Sequence, residues 1–279
     1  MSSVLFVPCY PGELGWELIN YAPHVYYLSC QKTYSQIHVM VREGREAIYP
    51  MGTHFYPIQL SSRKSMGNNG PQAPDRGIPA KLVKEFVVNH VKSPYGGCRY
   101  IKNRKYIKYQ ATDESLHKWE HIPKNSVVLC VRGRKFGSLK NWDAENWVKL
   151  CKLLLNMNFT PVITGIKESV VFEPPDGCIE LLNQTTIEDL IAIMQKSIFV
   201  VGQSTGPMHL AALSGVPHTV WGSSRLRDRY LNSWNPHRTL VEYYTCKNED
   251  NQFASTYEEI ESLINRMVKR LGIENAHSL

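Results

Sequence analysis

Ile198-Phe-Val-Val-Gly-Gln-Ser-Thr-Gly-Pro-Met-His-Leu-Ala-Ala-Leu-Ser-Gly-Val-Pro-His-Thr-Val-Trp-Gly222 is the stretch whose reading decides the fold. Residues 198–201 are an apolar run of the length of a buried parallel strand. Gly202, Ser204, Thr205 and Gly206 are turn formers, and Pro207 suits the first turn of a helix, where no backbone donor is needed. Residues 208–213 are apolar and helical in pattern, Gly215 ends them, and residues 219–221 form a second short apolar run. Strand, small-residue loop, helix, strand is one βαβ unit, and its helix N-terminus directs free N–H groups at the space above the sheet. That place suits a phosphate, although a tight strand–helix turn in any Rossmann-like domain has the same pattern.

The alternation extends outward from this unit. Upstream lie a strand at 126–131, a basic loop at 132–142, and a helix at 144–155 whose Trp147, Val148, Leu150, Cys151, Leu154 and Leu155 share one face. A strand at 161–164, a short strand near 178–182 and an amphipathic helix at 187–195 follow, and a helix at 257–271 closes the chain with a stripe of Ile260, Leu263, Ile264 and Met267. An earlier set begins with a strand at 4–7, a loop with two glycines, a helix at 17–28, a strand at 37–41 and a turn with a short helix at 42–47. Residues 57–79 are rich in Ser, Gly, Asn and Pro, which is the composition of a long loop of the kind used as a lid or acceptor-binding segment. Residues 81–92 have helical character, and the polar stretch 117–125 reads as an interdomain linker. Two successive alternating sets predict an α/β chain of two Rossmann-like domains, residues 1–124 and 125–279, with a cleft between them.

Composition narrows the class. The 279 residues suffice for two cores, and 43% hydrophobic with 20% charged residues is an ordinary globular balance. No window approaches the ~18 consecutive apolar residues of a membrane span, and the N-terminus lacks the basic and apolar regions of a signal peptide, so a cytoplasmic protein is expected. The seven cysteines are widely spaced without a C-x-x-C pair, and Cys9, Cys30, Cys130 and Cys151 sit in or beside apolar runs. They read as reduced packing residues, with neither zinc nor disulfides. A net charge of +7 favours polyanionic partners or serves solubility alone. Arg99, Lys102, Arg104, Lys105 and Lys108 interleave with tyrosines, a composition that tracks a nucleic-acid backbone or forms a solvated edge strand.

Three segments, in order, carry a resemblance. Gln203-Ser-Thr-Gly-Pro-Met-His-Leu-Ala-Ala212 with Gly215-Val-Pro217 is similar to the donor-site signature of glycosyltransferase family 9, the heptosyltransferase-like enzymes, which reads Asp-Ser/Thr-Gly-x-x-His-x-Ala-Ala and then Gly-x-Pro. Lys140-Asn-Trp142 with Glu145 and Trp147 resembles the family's Lys-x-Trp-Pro-x-x-x-Trp segment, and Gly12-Glu-Leu-Gly15 with Pro23 resembles its Gly-Asp-x-Leu loop before a Pro-containing helix. The resemblance implies a GT-B architecture, two facing Rossmann-like domains with the acceptor on the first and a nucleotide-sugar on the second. It implies inverting transfer with no metal or other cofactor.

Such a transfer needs a base for the acceptor hydroxyl and cationic or dipolar groups for the departing diphosphate. Glu13 falls on the family's catalytic Asp, and Glu17, one helical turn on, is the second candidate, with helix N-terminal charge complementarity as its other explanation. Gly12, Gly15 and Trp16 are the candidate acceptor contacts. Lys140 falls on the phosphate-contacting lysine. Arg132 and Arg134 lie at the end of the domain's first strand, and Ser204, Thr205, Gly206 and His209 complete the candidate diphosphate site. A lone helical His is more often a packing residue than a catalyst. Gln203, which stands where the family has Asp, and Glu168 are the candidate nucleoside or sugar contacts.

Besides a glycan or lipid-linked acceptor, three readings stand. A phage-type DNA glycosyltransferase acting on hydroxymethylated bases would use segment 99–108 to hold DNA while a base is flipped out. A non-catalytic nucleotide- or carbohydrate-binding module would retain the fold without the base. A dinucleotide oxidoreductase is disfavoured, because no G-x-G-x-x-G follows the first strand.

Overall fold

The computed structural model describes residues 4–10, 13–31, 33–58, 103–133, 138–167, 170, 172–247 and 253–273. Residues 59–79 of the expected loop, the helix at 81–92, residues 99–102 of the basic segment, and the site candidates Gly12, Arg134 and Glu168 lie outside the described residues. The chain divides into two compact units, Met1–Ile107 with Thr186–Glu188, and Lys108–Thr185 with Asp189–Leu279.

The first unit holds a parallel sheet in the order β1-β2-β3, with β1 at Val4–Val7, β2 at Gln36–Arg42 and β3 at His54–Ile58. Between β1 and β2 the helical run comprises Leu14–Trp16, a π-helical stretch Glu17–Tyr21 and Ala22–Ser29. Pro23 explains the irregularity. It has no N–H, and its ring crowds the carbonyl four residues back, that of Ile19. The chain widens by one residue there, the Ala22 N–H bonding the Glu17 carbonyl, and Arg104 Nη1 donates to the Ile19 carbonyl at 3.3 Å and to Asn20 Oδ1 at 2.7 Å. The sequence reading started this helix three residues late and did not foresee β3, a short strand containing Pro57 beside a loop-like composition.

The second unit holds a six-stranded parallel sheet in the order β6-β5-β4-β7-β8-β9. These strands are β4 at Ser126–Cys130, β5 at Thr160–Gly165, β6 at Ile179–Leu182, β7 at Phe199–Gln203, β8 at His218–Gly222 and β9 at Val241–Thr245. The chain builds outward from β4 in one direction, returns to the centre with β7, and builds outward in the other. That is the doubly wound order of mononucleotide-binding sheets. Trp147, Leu150, Cys151 and Leu154 of the helix Ala144–Asn156 are buried together with Ile260, Leu263, Ile264 and Met267 of the helix Tyr257–Arg270, in the core that also contains Trp142 and Trp221. Thr256 and Glu259 close the last helix's N-terminus with a reciprocal capping box.

Residues 117–125, read as a linker, belong to this second unit. Trp119 Nε1 and Lys118 Nζ each donate to Asp189 Oδ1 at 2.7 Å, and the Trp119 ring is buried. A long-range anchor of that kind leaves no local sequence pattern. Cys30 is likewise not a packing residue. It is exposed at the end of the helix Ala22–Ser29, with Lys105 Nζ 3.5 Å from its sulfur.

Both sheets are parallel, so the chain is of the α/β class. The junction of β4 and β7 depends on Gly202, where a Cβ would lie 2.9 Å from the Cys130 carbonyl oxygen and 3.0 Å from Met208 Sδ. Backbone cannot yield as a flexible side chain does, so Gly202→Ala should lower the unfolding free energy by about 1–3 kcal/mol. Urea denaturation measures this, and an unchanged midpoint would mean that the two strands are not held this closely.

Candidate active site

In doubly wound sheets, ligands bind beyond the C-terminal ends of the strands, where the strand order reverses. Here that point lies between β4 and β7, which pair in register from Val127↔Phe199 to Cys130↔Gly202. The residues just past both strands are Arg132 on one side and Gln203 to Gly206 on the other, so topology alone gathers candidates chosen from separate sequence segments.

Thr205 is the N-cap of the helix Gly206–Leu213, with Pro207 in its first turn. Its extended backbone (φ −145°, ψ 171°) leaves the side chain out of capping, and its buried Oγ1 has no partner among the described residues. The helix dipole supplies partial positive charge at this end. Ser204 is fixed at both ends, its N–H donating to the Trp221 carbonyl at 3.0 Å and its Oγ sharing a hydrogen bond with Tyr230 Oη at 3.0 Å.

The loop after β4 meets the same place. Arg132 is buried and donates from Nη1 to Asn141 Oδ1. The Lys140 carbonyl accepts from Gln203 Nε2 at 3.3 Å, while its Nζ lies 5.1 Å from the centre of the Phe253 ring. Trp142 Nε1 donates to the Ser255 carbonyl at 2.9 Å, and its ring meets Trp147 and Trp221 edge-on, each at 5.2 Å. Arg132, Lys140, Gln203 and Ser204 are therefore linked through one another or through Asn141 and the strand ends.

His209 is a packing residue in character. It is buried, stacked on Tyr230 at 4.4 Å and 12°, and edge-on to Trp234 at 4.9 Å. Burial above all, then the charges of Arg229 and His218, push its pKa down to about 3, so its ring is neutral near pH 7. It brings no cation to an anion. Burial likewise pushes His218 down to about 4, against the opposing hydrogen bond of its Nδ1 with the Val216 carbonyl at 3.0 Å.

The cation that acts on His209 is one the sequence reading passed over. Arg229 follows the short helix Ser224–Asp228, which begins two residues beyond β8, and its guanidinium lies 4.3 Å over the Trp234 ring. Tyr230, next in the chain, bonds Ser204. The run Arg225, Arg227, Arg229 directly after a strand adjacent to the phosphate-type loop was the signal that could have found this segment.

In the first unit, Glu13 is half-buried at the N-cap of the helical run, and its carbonyl accepts the Glu17 N–H at 3.0 Å. Gly15 and Trp16 are half-buried in the turn that follows. Glu17 differs sharply from Glu13. It is 1% exposed, with Oε2 paired to Arg45 Nη1 and Oε1 accepting from Tyr49 Oη at 2.8 Å. Burial first, and then the Glu17 charge, push the Tyr49 phenol well up, which keeps it a donor.

Within the basic segment, Arg104 is committed to Ile19 and Asn20, and Lys105 lies 4.8 Å from the centre of the Tyr26 ring and 3.5 Å from Cys30 Sγ. These side chains bind their own unit. Among the described residues no group of three or more His, Cys, Asp or Glu is placed to hold a metal ion, and no helix is long and apolar enough to cross a membrane.

The sequence model described as Glycosyltransferase family 9 (heptosyltransferase) matches residues 98–253, more than half of the chain. Lipooligosaccharide heptosyltransferase 2 of Haemophilus influenzae is 22% identical over 118 residues, which cover 37% of this chain and 34% of that protein, about a third of its length. Among solved structures, the ADP-heptose lps heptosyltransferase II of E. coli superposes with a TM-score of 0.64 at 14% identity, covering 97% of this chain and 99% of that one. The glycosyl transferase family 9 structure from Veillonella parvula gives a TM-score of 0.62 at 11% identity, covering 96% and 98%. These likenesses identify the fold as the GT-B class.

The buried histidines give a pH signature. Both are neutral in the folded chain and take up protons on unfolding below their ordinary value of about 6.5, so folding stability is fully present above that pH and is lost as pH falls toward 4. The loss should not exceed about 1.4 kcal/mol per pH unit for each histidine, and His209→Phe should flatten the slope. Denaturation at pH 7, 6 and 5 measures it, and an equal slope in the variant would contradict the burial of a neutral His209.

Proposed function

This chain belongs to glycosyltransferase family 9, and we propose that it is an inverting, metal-independent transferase that moves a sugar from a nucleotide-sugar to a hydroxyl of a glycan or lipid-linked acceptor in the cytoplasm. The observation that carries the reading is the gathering of Arg132, Lys140 and the Ser204–Gly206 loop at the reversal of strand order, where a doubly wound sheet binds phosphate. As the acceptor oxygen bonds the anomeric carbon, the bond from that carbon to the diphosphate breaks and its electron pair leaves with the phosphate. Arg132, Lys140 and the N-terminus of the helix Gly206–Leu213 stabilise that charge. Gly12, Gly15 and Trp16 would contact the acceptor, with Arg134 and Glu168 as further donor contacts.

Glu13 takes the acceptor proton. Glu17 is the weaker candidate, because both its oxygens are engaged by Arg45 and Tyr49. A group so engaged would have to break two charge-assisted bonds before accepting a proton. The glycan reading is favoured over DNA because Arg104 and Lys105 are taken up within their own unit. The names of the relatives, which concern lipooligosaccharide and ADP-heptose, point the same way.

A donor present at a hundred times its dissociation constant should stabilise the protein by about 2.7 kcal/mol, which a thermal-shift screen of nucleoside diphosphates and nucleotide-sugars detects. Glu13→Gln should leave that shift intact and reduce transfer by about 10²–10⁴-fold. Unchanged transfer in Glu13→Gln would remove Glu13 from the mechanism, and the absence of any nucleotide shift would remove the donor site.

A further inference from the structure

Gln203 is wholly buried at the end of β7, and its side chain has two different environments. The amide nitrogen donates to the Lys140 carbonyl at 3.3 Å, and the amide oxygen is buried with no partner among the described residues. The bond joins residues 63 apart, and it joins the loop after β4 to the last residue of β7. Only a side chain with a hydrogen-bond donor at this position can make it. A carboxylate, which the family signature places here, would set an acceptor oxygen against the Lys140 carbonyl.

We propose that Gln203 is a positioning residue, whose amide fastens the Lys140 segment at the reversal point. Residues 138–140 form a single 3₁₀ turn with few internal bonds of its own, since the Asn141 N–H to the Ser138 carbonyl at 2.8 Å is its closing contact. On the other side, the Arg132 guanidinium holds Asn141. The segment carrying Lys140 is thus tied at two neighbouring residues, by a neutral amide and by a cation. The effect on ADP binding rests on the nucleotide-sugar reading of this site, whereas the tether does not.

Gln203→Glu keeps the shape and removes the N–H, and Gln203→Met keeps the volume and removes both polar arms. The second variant covers the possibility that a buried carboxylate prevents folding. Backbone hydrogen exchange of residues 138–142 in the ligand-free protein reads the tether, and calorimetric titration with ADP reads its consequence. Exchange in that segment should become faster in both variants, and ADP affinity should fall about tenfold, the size of one hydrogen bond. In a cycle with Lys140→Met, the double variant Lys140→Met/Gln203→Met should bind ADP no more weakly than Lys140→Met alone, because Gln203 acts through Lys140. Unchanged exchange would overturn the tether whatever ADP does, and losses that simply add would overturn its action through Lys140. Faster exchange in a protein that binds no ADP would uphold the tether and bring down the donor reading instead.

Discussion

The close approach of β7 to β4 at Gly202 is the constraint on which the second unit depends. With no Cβ between them, the Cys130 carbonyl and Met208 occupy the space beside the β7 backbone. The sheet can then reverse its building direction at a tightly joined pair of strands, and the helix Gly206–Leu213 can start immediately beyond. Everything proposed for the donor follows from that reversal. It separates the crossovers to either side, opens a crevice above the strand ends, and sets a helix N-terminus on one rim with Arg132 and Lys140 on the other.

Two carboxylates one turn apart in the first unit have different environments. Glu17 sits where Pro23 forces the helix to widen, and it is clasped by Arg45 and Tyr49. Breaking such a buried pair by removing one partner is costly, so Glu17 has the bonds of a structural anchor. Glu13, at the helix start, is only half-buried. The second unit makes a parallel division between His209 and Arg229. The histidine carries the motif letter but lies neutral between Tyr230 and Trp234, while the arginine outside the motif carries the charge.

Much of this was legible in the chain. The segments at 4–7, 37–41, 126–131, 161–164 and 198–201 each became a parallel strand, and β4, β5 and β7, buried along most or all of their length, are the ones with mainly apolar sequence. β3 and β9 were missed for the converse reason. Their sequences, His-Phe-Tyr-Pro-Ile and Val-Glu-Tyr-Tyr-Thr, mix polar and aromatic residues, as suits half-exposed strands. The π-helical stretch Glu17–Tyr21 left no trace in side-chain periodicity, since it depends on which carbonyl each N–H selects. Motif spacing brought Lys140, Gln203 and Ser204 onto the candidate list, and the end of the strand brought Arg132, but the links from Gln203 to Lys140 and from Ser204 to Tyr230 join residues far apart in sequence. Pattern could name the parts of the site without showing which of them were already occupied.

The central claim is that the donor diphosphate lies at the reversal between β4 and β7. Photo-crosslinking with a nucleoside diphosphate carrying a reactive group on its terminal phosphate, followed by peptide mapping, tests it most directly. Labelling is expected within residues 130–142 and 203–209, suppressed by excess unmodified nucleotide. Competable labelling confined to residues 4–58 would contradict it.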